Sequence, residues 1–486
     1  MLLDEKTWTG NIFIGGAWRP GRGDGYDVVE PATGAVLGRI GQATPADVDE
    51  AARAAAEAQR AWAATPHTAR AAVLRRAGQL WAEHAEEISG WNVREVGAIP
   101  PMAGFALHTA EQECYEAAAL PSRPYGELLP SEEPRLSMAR RVPAGVVSVI
   151  APFNVPIILA IRSVAPALAL GNAVILKPDP RTAVTGGVTL ARIFEEAGLP
   201  PGVLQVLPGG AAVGEALVVH HLVRVISFTG STAAGRRVGA LAGEHLKRAH
   251  LELGGNSALI VLDDADVEAA VNAASFGSWF HQGQICMTTG RHLVHERLYD
   301  DFVERLAAKA NALPVGDPAR ETVVLGPIID AAQRDKIHSV VTRSAGYGAR
   351  IAAGGTYRDL FYSPTVLADV ADDTPAFVEE IFGPVAPVLR FSDEEEAVRL
   401  ATASEYGLSL GIITRDVMKG LALADRVPSG IVHINDQTVS DEANSPFGGV
   451  AASGTGSRFG GPAANVEAFT ETRWVTVRDK PPIYPF

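Results

Sequence analysis

Two of the 486 residues are cysteines, and they sit in opposite settings. Cys286 lies in FHQGQICMTTGR (280–291), in a loop after Gly283 with Gln282, Gln284, Thr288 and Thr289 around it. A thiolate there would attack a carbonyl carbon, given help to ionise from an ordinary thiol pKa of about 8.5. The competing reading is an inert core thiol, the common state of a free cysteine; the polar neighbours weigh against it. Cys114, in AEQECYEAAAL, has the helical apolar surroundings of a core residue. A second group sits in HLELGGNSALIV (250–261), where Glu252 interrupts an apolar run before Gly254-Gly255. Burial would raise such a carboxyl toward the range of a general base; a solvent-facing strand end is the alternative. In VIAPFNVP (149–156), Asn154 follows an apolar strand inside a Pro-bounded loop. Its amide would serve a developing oxyanion, or simply make a turn.

Other segments suit a phosphate-bearing ligand. VISFTGSTAAGRRVG (225–239) runs from a strand into Gly230, with Ser231 and Thr232 where a helix begins and Gly235 one turn on. Helix N-termini favour anions through free N–H groups and the dipole. An ordinary capped turn reads the same way, and the Lys of a P-loop is missing. Lys177 ends the strand-like AVILK, and Glu380 and Phe382 precede the Gly-Pro of EEIFGPV (379–385). No His/Cys/Asp/Glu cluster has metal-ligand spacing, so no metal is expected. His220 and His221 are adjacent, a placement that predicts diverging side chains.

These residues need a frame to converge. β-branched runs at 146–150, 173–177, 203–207 and 225–228 alternate with helical patterns, one of them Thr182 to Ala197. That rhythm predicts βαβ units and a doubly wound α/β sheet covered on both faces. Ala46 to Trp62 and Ala69 to Val96 predict amphipathic helices. A second βα series is expected after residue 255: SALIVL, a helix from Asp266, then ALPVGD (312–317) and LGPII (325–329). Segment 126–145 breaks the rhythm and suggests a hairpin; WVTVRD (474–479) suggests one more strand. The run 145–161 is apolar but holds Pro152, Asn154 and Pro156, which predicts strand, turn and helix rather than a membrane span. A net charge of −14 with no Lys/Arg block argues against nucleic acid as a partner. Two cysteines and no signal-peptide pattern at the start lead to the expectation of a cytoplasmic protein.

Taken in order, APFNVP, LKP, FTGST, LELGGN, GQICM, EEIFGPV and PFGGVAASG (446–454) resemble the aldehyde dehydrogenase superfamily, from about Phe13 to Trp474. Glu252 stands 34 residues before Cys286, the separation expected in that family. NVREVGAI, RSVAPALALGNAVILKPD, HQGQICM, RHLVH, VHINDQ and the terminal YPF look like its benzaldehyde dehydrogenase branch, which acts on aromatic aldehydes. The resemblance implies a Rossmann-like dinucleotide-binding domain (1–125 and 143–254), an α/β catalytic domain (255–445) and a small β oligomerisation element (126–142 and 465–486). A homodimer or homotetramer is implied. So is NAD or NADP as cofactor and a small aldehyde as substrate. Cys286 would be the nucleophile, Asn154 and the Cys286 N–H the oxyanion donors, and Glu252 the base that hydrolyses a thioester. Lys177, Gly230, Ser231, Gly235, Glu380, Phe382 and Lys336 would contact the cofactor, with Ile150, Phe153 and Leu253 beside them. An apolar pocket for the aldehyde would draw on Leu159, Arg162, Phe280, Ile285 and Met287, with Trp279 and Phe153 as further candidates.

Three positions depart from the family pattern. Pro180 stands where many NAD-preferring members carry a Glu, so NADP is not repelled there. Phe153 replaces a commoner Trp and His281 a commoner Asn. A CoA-acylating enzyme and a non-catalytic protein on the same scaffold are the alternatives; the former usually lacks the Glu.

Overall fold

The computed structural model describes all 486 residues. Val146–Ile150, buried along its whole length, is the central one of the five parallel strands in a seven-stranded sheet. Ala173–Lys177 and Leu204–Val206 pair parallel on one side of it, and Val223–Thr229 and Arg248–Glu252 on the other. Asn11–Ile14 and Ala17–Pro20 close the first side as antiparallel additions. The chain therefore leaves the central strand in one direction and later returns to build in the other. Such a reversal opens a crevice at the C-terminal ends of the two strands that flank it. Here those ends lead into Pro152–Asn154 and into Gly230-Ser231.

A second seven-stranded sheet follows, with Ser257–Val261, Thr289–His295, Val385–Phe391 and Ser409–Ile413 at its centre, all in parallel pairs. Alternate residues of each sheet enter separate apolar clusters. Val147, Val149 and Leu176 point to one face of the first sheet, and Val146, Ile150 and Ile175 to the other. Both faces are thus covered by helices, which is why the strands read as unbroken apolar runs.

The amphipathic predictions match Pro45–Ala64 and the run from His67–Glu83 to the short π-helix Asn92–Val96. The expected hairpin is Gly126–Leu128 against Leu136–Pro143, and Thr470–Val477 adds to it antiparallel. The apolar run at 145–161 resolves into strand, loop and the helix Pro156–Ala169. No helix is long and apolar enough to cross a membrane. ALPVGD and LGPII are not strands: they form a loop joined by one isolated Val315–Leu325 bridge. Pro314 and Pro327 each remove a ladder donor there. His220 and His221 do not diverge either. Their rings stack at 4.8 Å, because His220 turns to Asp49 at 3.2 Å.

Candidate active site

Cys286 stands between two cavities. One runs along the crevice of the first sheet and is bounded by Phe153, Asn154, Gly230, Ser231, Leu253, Lys336, Glu380 and Phe382, as well as by Cys286. Its volume, about 140 Å³, is close to that of a cavity that takes one flat six-membered ring. The other is apolar, with Met102, Ile158, Leu159, Phe280, Ile285, Met287 and Phe447 in its wall, and Arg162 and Asp441 as its charged members. Asn154, Leu159 and Cys286 belong to both walls. Beyond Phe105, Phe280, Val439 and Asp441 the apolar cavity adjoins a broad surface groove. In this conformation the apolar space is about 30 Å³, a single water's share. A ring enters only if side chains such as Met102 or Met287 change rotamer, which unbranched thioethers do readily.

The nucleophile loop is built on unusual backbone. His281, Gln282 and Gly283 have φ of 51°, 57° and 65°, so two side-chain-bearing residues occupy the left-handed region. Buried side-chain bonds hold them there. Gln282 Nε2 donates to Gly97 O and Pro327 O, both at 3.0 Å. His281 Nε2 donates to Asn154 O at 2.7 Å, which fixes the tautomer. Asn154 Nδ2 donates in turn to Gln284 O at 2.8 Å. The Asn154 loop and the Cys286 loop are thereby tied together twice. Burial lowers His281 to about 4, so it is neutral at working pH. Gly255 lets the strand end close on this loop: a Cβ there would lie 2.3 Å from Cys286 O.

Glu252 ends the strand Arg248–Glu252 and is 3% exposed, so the solvent-facing alternative is excluded. Its Oε2 accepts from Gly449 N at 3.2 Å, while Oε1 is buried without a partner. Burial raises it well above the ordinary carboxyl value, against the Gly449 N–H and the Arg162 charge. Cys286 is pushed up to about 12 by burial, with Arg162 opposing and Glu252 adding to the rise. Cys286 thus rests as a thiol, and a carboxyl of raised pKa such as Glu252 suits the task of a general base. Glu252 lines neither cavity, so its carboxyl must rotate to reach one.

The crevice has the residues of a dinucleotide site around a cavity that takes one ring. Ser231 caps the 13-residue helix Thr232–Glu244, its Oγ accepting from Ala234 N, and the N–H groups of the first turn have no helical partner. Gly254 is a cradle: a Cβ on it would lie 2.5 Å from Glu380 Oε2. Glu380 Oε1 accepts from Gly255 N at 2.9 Å. Phe153 and Phe382 meet edge to face at 6.0 Å, and the Arg181 guanidinium carbon lies 4.1 Å from the centre of the Phe153 ring. Lys177 is buried at the end of its strand, its methylenes and Ile150 facing Gly214 rather than the cavity. Gly235 does not face the cavity: a Cβ there would be 2.1 Å from Leu253 Cδ2, so its smallness serves helix–strand packing. Trp279 is likewise buried in the second sheet's core, and Phe153 belongs to the crevice rather than the apolar pocket.

Sequence reasoning missed several residues. Gln333, on Ala331–Gly346, donates to Phe382 O at 2.9 Å and carries no motif. Gly449 and Ser453 brace the Glu252 strand end, Ser453 O accepting from Leu253 N at 2.9 Å. Their string, PFGGVAASG, was visible without a role. No group of three or more His, Cys, Asp or Glu is placed to hold a metal ion.

Comparison with known proteins agrees with this geometry. The family model described as "Aldehyde dehydrogenase family" matches residues 18–475. A vanillin dehydrogenase of Amycolatopsis sp. is 70% identical over 485 residues, covering 100% of both chains. The NAD(+) benzaldehyde dehydrogenase of Pseudomonas putida is 50% identical, with 99% of each chain covered. The crystal structure of a salicylaldehyde dehydrogenase from Pseudomonas putida G7, complexed with salicylaldehyde, superposes with a TM-score of 0.94 at 36% identity, over 98% of this chain and 99% of that one. With a cysteine between crevice and apolar pocket and a family match along nearly its whole length, the chain belongs to the aldehyde dehydrogenase family.

Proposed function

We propose that the protein oxidises aromatic aldehydes to carboxylic acids with NAD or NADP, through a thioester on Cys286. The observation that carries this reading is the position of Cys286, shared by a crevice at the C-terminal ends of the first sheet's strands and a pocket walled by Phe280, Phe447 and aliphatic side chains. The relatives named for vanillin and benzaldehyde support the aromatic class.

Cys286, deprotonated, adds to the aldehyde carbon. Asn154 Nδ2 and the Cys286 N–H stabilise the oxygen as it becomes negative, an arrangement that acts mainly on the transition state. When bound, the dinucleotide supplies the hydride acceptor. Ser231 and the helix it caps would hold the phosphates, Glu380 would hold the ribose nearer Cys286 and Lys177, which lies outside this cavity wall, the farther ribose, and Lys336 would add positive charge at the rim. Phe153, Leu253 and Phe382 exclude water around the reacting ring. The oxidised carbon is left as an acyl group on sulfur, and Glu252 takes a proton from the water that releases the acid. Asp179 is bound to the Arg181 guanidinium at 2.9 Å through both of its oxygens. With Pro180 beside it, no free carboxylate is left to repel a 2′-phosphate, so both cofactors are accepted.

Residues 1–125 with 143–254 serve as the dinucleotide-binding domain and 255–445 as the catalytic domain. The sheet of Gly126–Leu128, Leu136–Pro143 and Thr470–Val477 joins copies of the chain into a dimer or tetramer; Leu128 and Trp474 on it are 75% and 65% exposed. Two free cysteines accord with a reducing cytoplasm.

The test is benzaldehyde turnover with NAD and NADP separately, with and without CoA, for wild type and Cys286→Ser. Acid as product in both cofactors, without need of CoA, and loss of nearly all turnover in the variant are expected. Near wild-type activity of Cys286→Ser, or acyl-CoA as the product, would overturn the assignment.

A further inference from the structure

Arg162 projects from the helix Pro156–Ala169 into the wall of the apolar cavity. It is 2% exposed, yet only one of its three donor nitrogens is used. Nη2 donates to Asp441, while Nε and Nη1 are buried with no acceptor in the protein. The guanidinium carbon lies over the Phe447 ring, 4.4 Å from its centre, which helps hold the group at the cavity wall. A buried cation with idle donors is a costly feature, and such groups call for an explanation. Asp441 reaches the same cavity and also borders the outer groove, so it stands on the path from solvent to Cys286.

We propose that Arg162 and Asp441 form a recognition site for a phenolic hydroxyl on the ring of the aldehyde. A hydroxyl is donor and acceptor at once. Its oxygen accepts from the idle guanidinium N–H, and its proton goes to the Asp441 carboxylate. A methyl group of similar size offers neither bond, and a methoxy group offers only the acceptor. The Arg162–Asp441 pair is neutral overall, which suits an un-ionised phenol. This inference rests on the aromatic-aldehyde reading above and narrows it to ring-hydroxylated substrates.

The experiment compares kcat/KM for 3- and 4-hydroxybenzaldehyde with that for 3- and 4-methylbenzaldehyde, benzaldehyde being the reference, in wild type, Arg162→Met and Asp441→Asn. At least one hydroxy/methyl ratio is expected to exceed tenfold in wild type and to fall toward one in Arg162→Met. A ring hydroxyl also alters the aldehyde's intrinsic reactivity, but equally in both enzymes, so the change in ratio isolates recognition. If Arg162→Met does not fold, the drop in ratio is read in Asp441→Asn. Competitive inhibition of the wild type by phenol against toluene gives the same comparison without any variant. Wild-type ratios near one would overturn the proposal. So would an Arg162→Met loss equal for every aldehyde, which would make Arg162 only an electrostatic support for Cys286. Failure to oxidise benzaldehyde at all would instead refute the aromatic-aldehyde reading itself.

Discussion

Glu252 illustrates what single residues reveal and conceal. Its place 34 residues before Cys286 was legible in the sequence, but its protonation was not. Burial behind the crevice raises its carboxyl well above the ordinary value, so the base becomes ionised only at a higher pH than an ordinary carboxyl does. Turnover should therefore rise with pH as Glu252 ionises. Glu252→Gln should lower steady-state turnover by about 10²–10⁴, the range for a general base. The first turnover should survive, because Cys286 and Asn154 remain. A rapid burst of reduced cofactor followed by a slow phase, with the alkaline rise abolished, is the expected record in stopped-flow. Loss of the burst along with the steady state would place Glu252 in the first half-reaction instead. Asn154→Ala should cost about 10²–10³ in kcat, the usual effect of one oxyanion donor, with KM for the aldehyde changed much less. His281 escaped the sequence reading as anything but a departure from pattern. Its partner is a backbone carbonyl, Asn154 O, and no side-chain motif records such a bond.

At the scale of elements, the strands were readable wherever both faces are buried, since Val, Ile and Leu then run without interruption, as in Val146–Ile150 and Ser257–Val261. The same signal misled at ALPVGD and LGPII: only LGPII is buried throughout, and the proline in each removes a ladder donor. Gly235 was legible as a close approach, though not as to what approaches. It lets the helix Thr232–Glu244, which carries Ser231 at its cap, lie against Leu253 at the end of the neighbouring strand. A methyl group there overlaps Leu253 Cδ2 at 2.1 Å and must displace the Leu253 side chain or the helix. Gly235→Ala should destabilise the fold by about 1–3 kcal/mol, as overpacking does. Because Leu253 and the helix end at Ser231 both border the crevice, either shift falls on the cofactor's side, and KM for NAD should rise more than KM for the aldehyde. Equal changes in both, measured by varying each substrate in turn, would mean that the helix end does not hold the cofactor.

For the molecule as a whole, a carboxyl buried near the apolar pocket makes stability depend on pH. Glu113, on the helix Pro100–Ala119, is 3% exposed and lies near Arg162 and Asp441. Burial pushes it up to about 8, outweighing the Arg162 charge, and Asp441 adds to the rise. The folded-state value is thus above that of the unfolded chain. Below about pH 4.5 both states hold the proton, and Glu113 imposes no pH-dependent penalty. As pH rises toward about 8, the unfolded chain gives up the proton while the folded one retains it, so stability falls. The fall approaches 1.4 kcal/mol per pH unit for one group and levels off once the folded form also ionises. Glu113→Gln keeps the shape of the protonated carboxyl and removes its titration. Its thermal midpoint relative to wild type should therefore be higher at pH 8.5 than at pH 5.5, at one scan rate and one protein concentration. A difference between the two proteins that stays constant across that range would show that Glu113 is not the linked group. The same scans on Arg162→Met should move in the opposite sense at high pH, because losing the neighbouring cation makes ionisation of Glu113 dearer still.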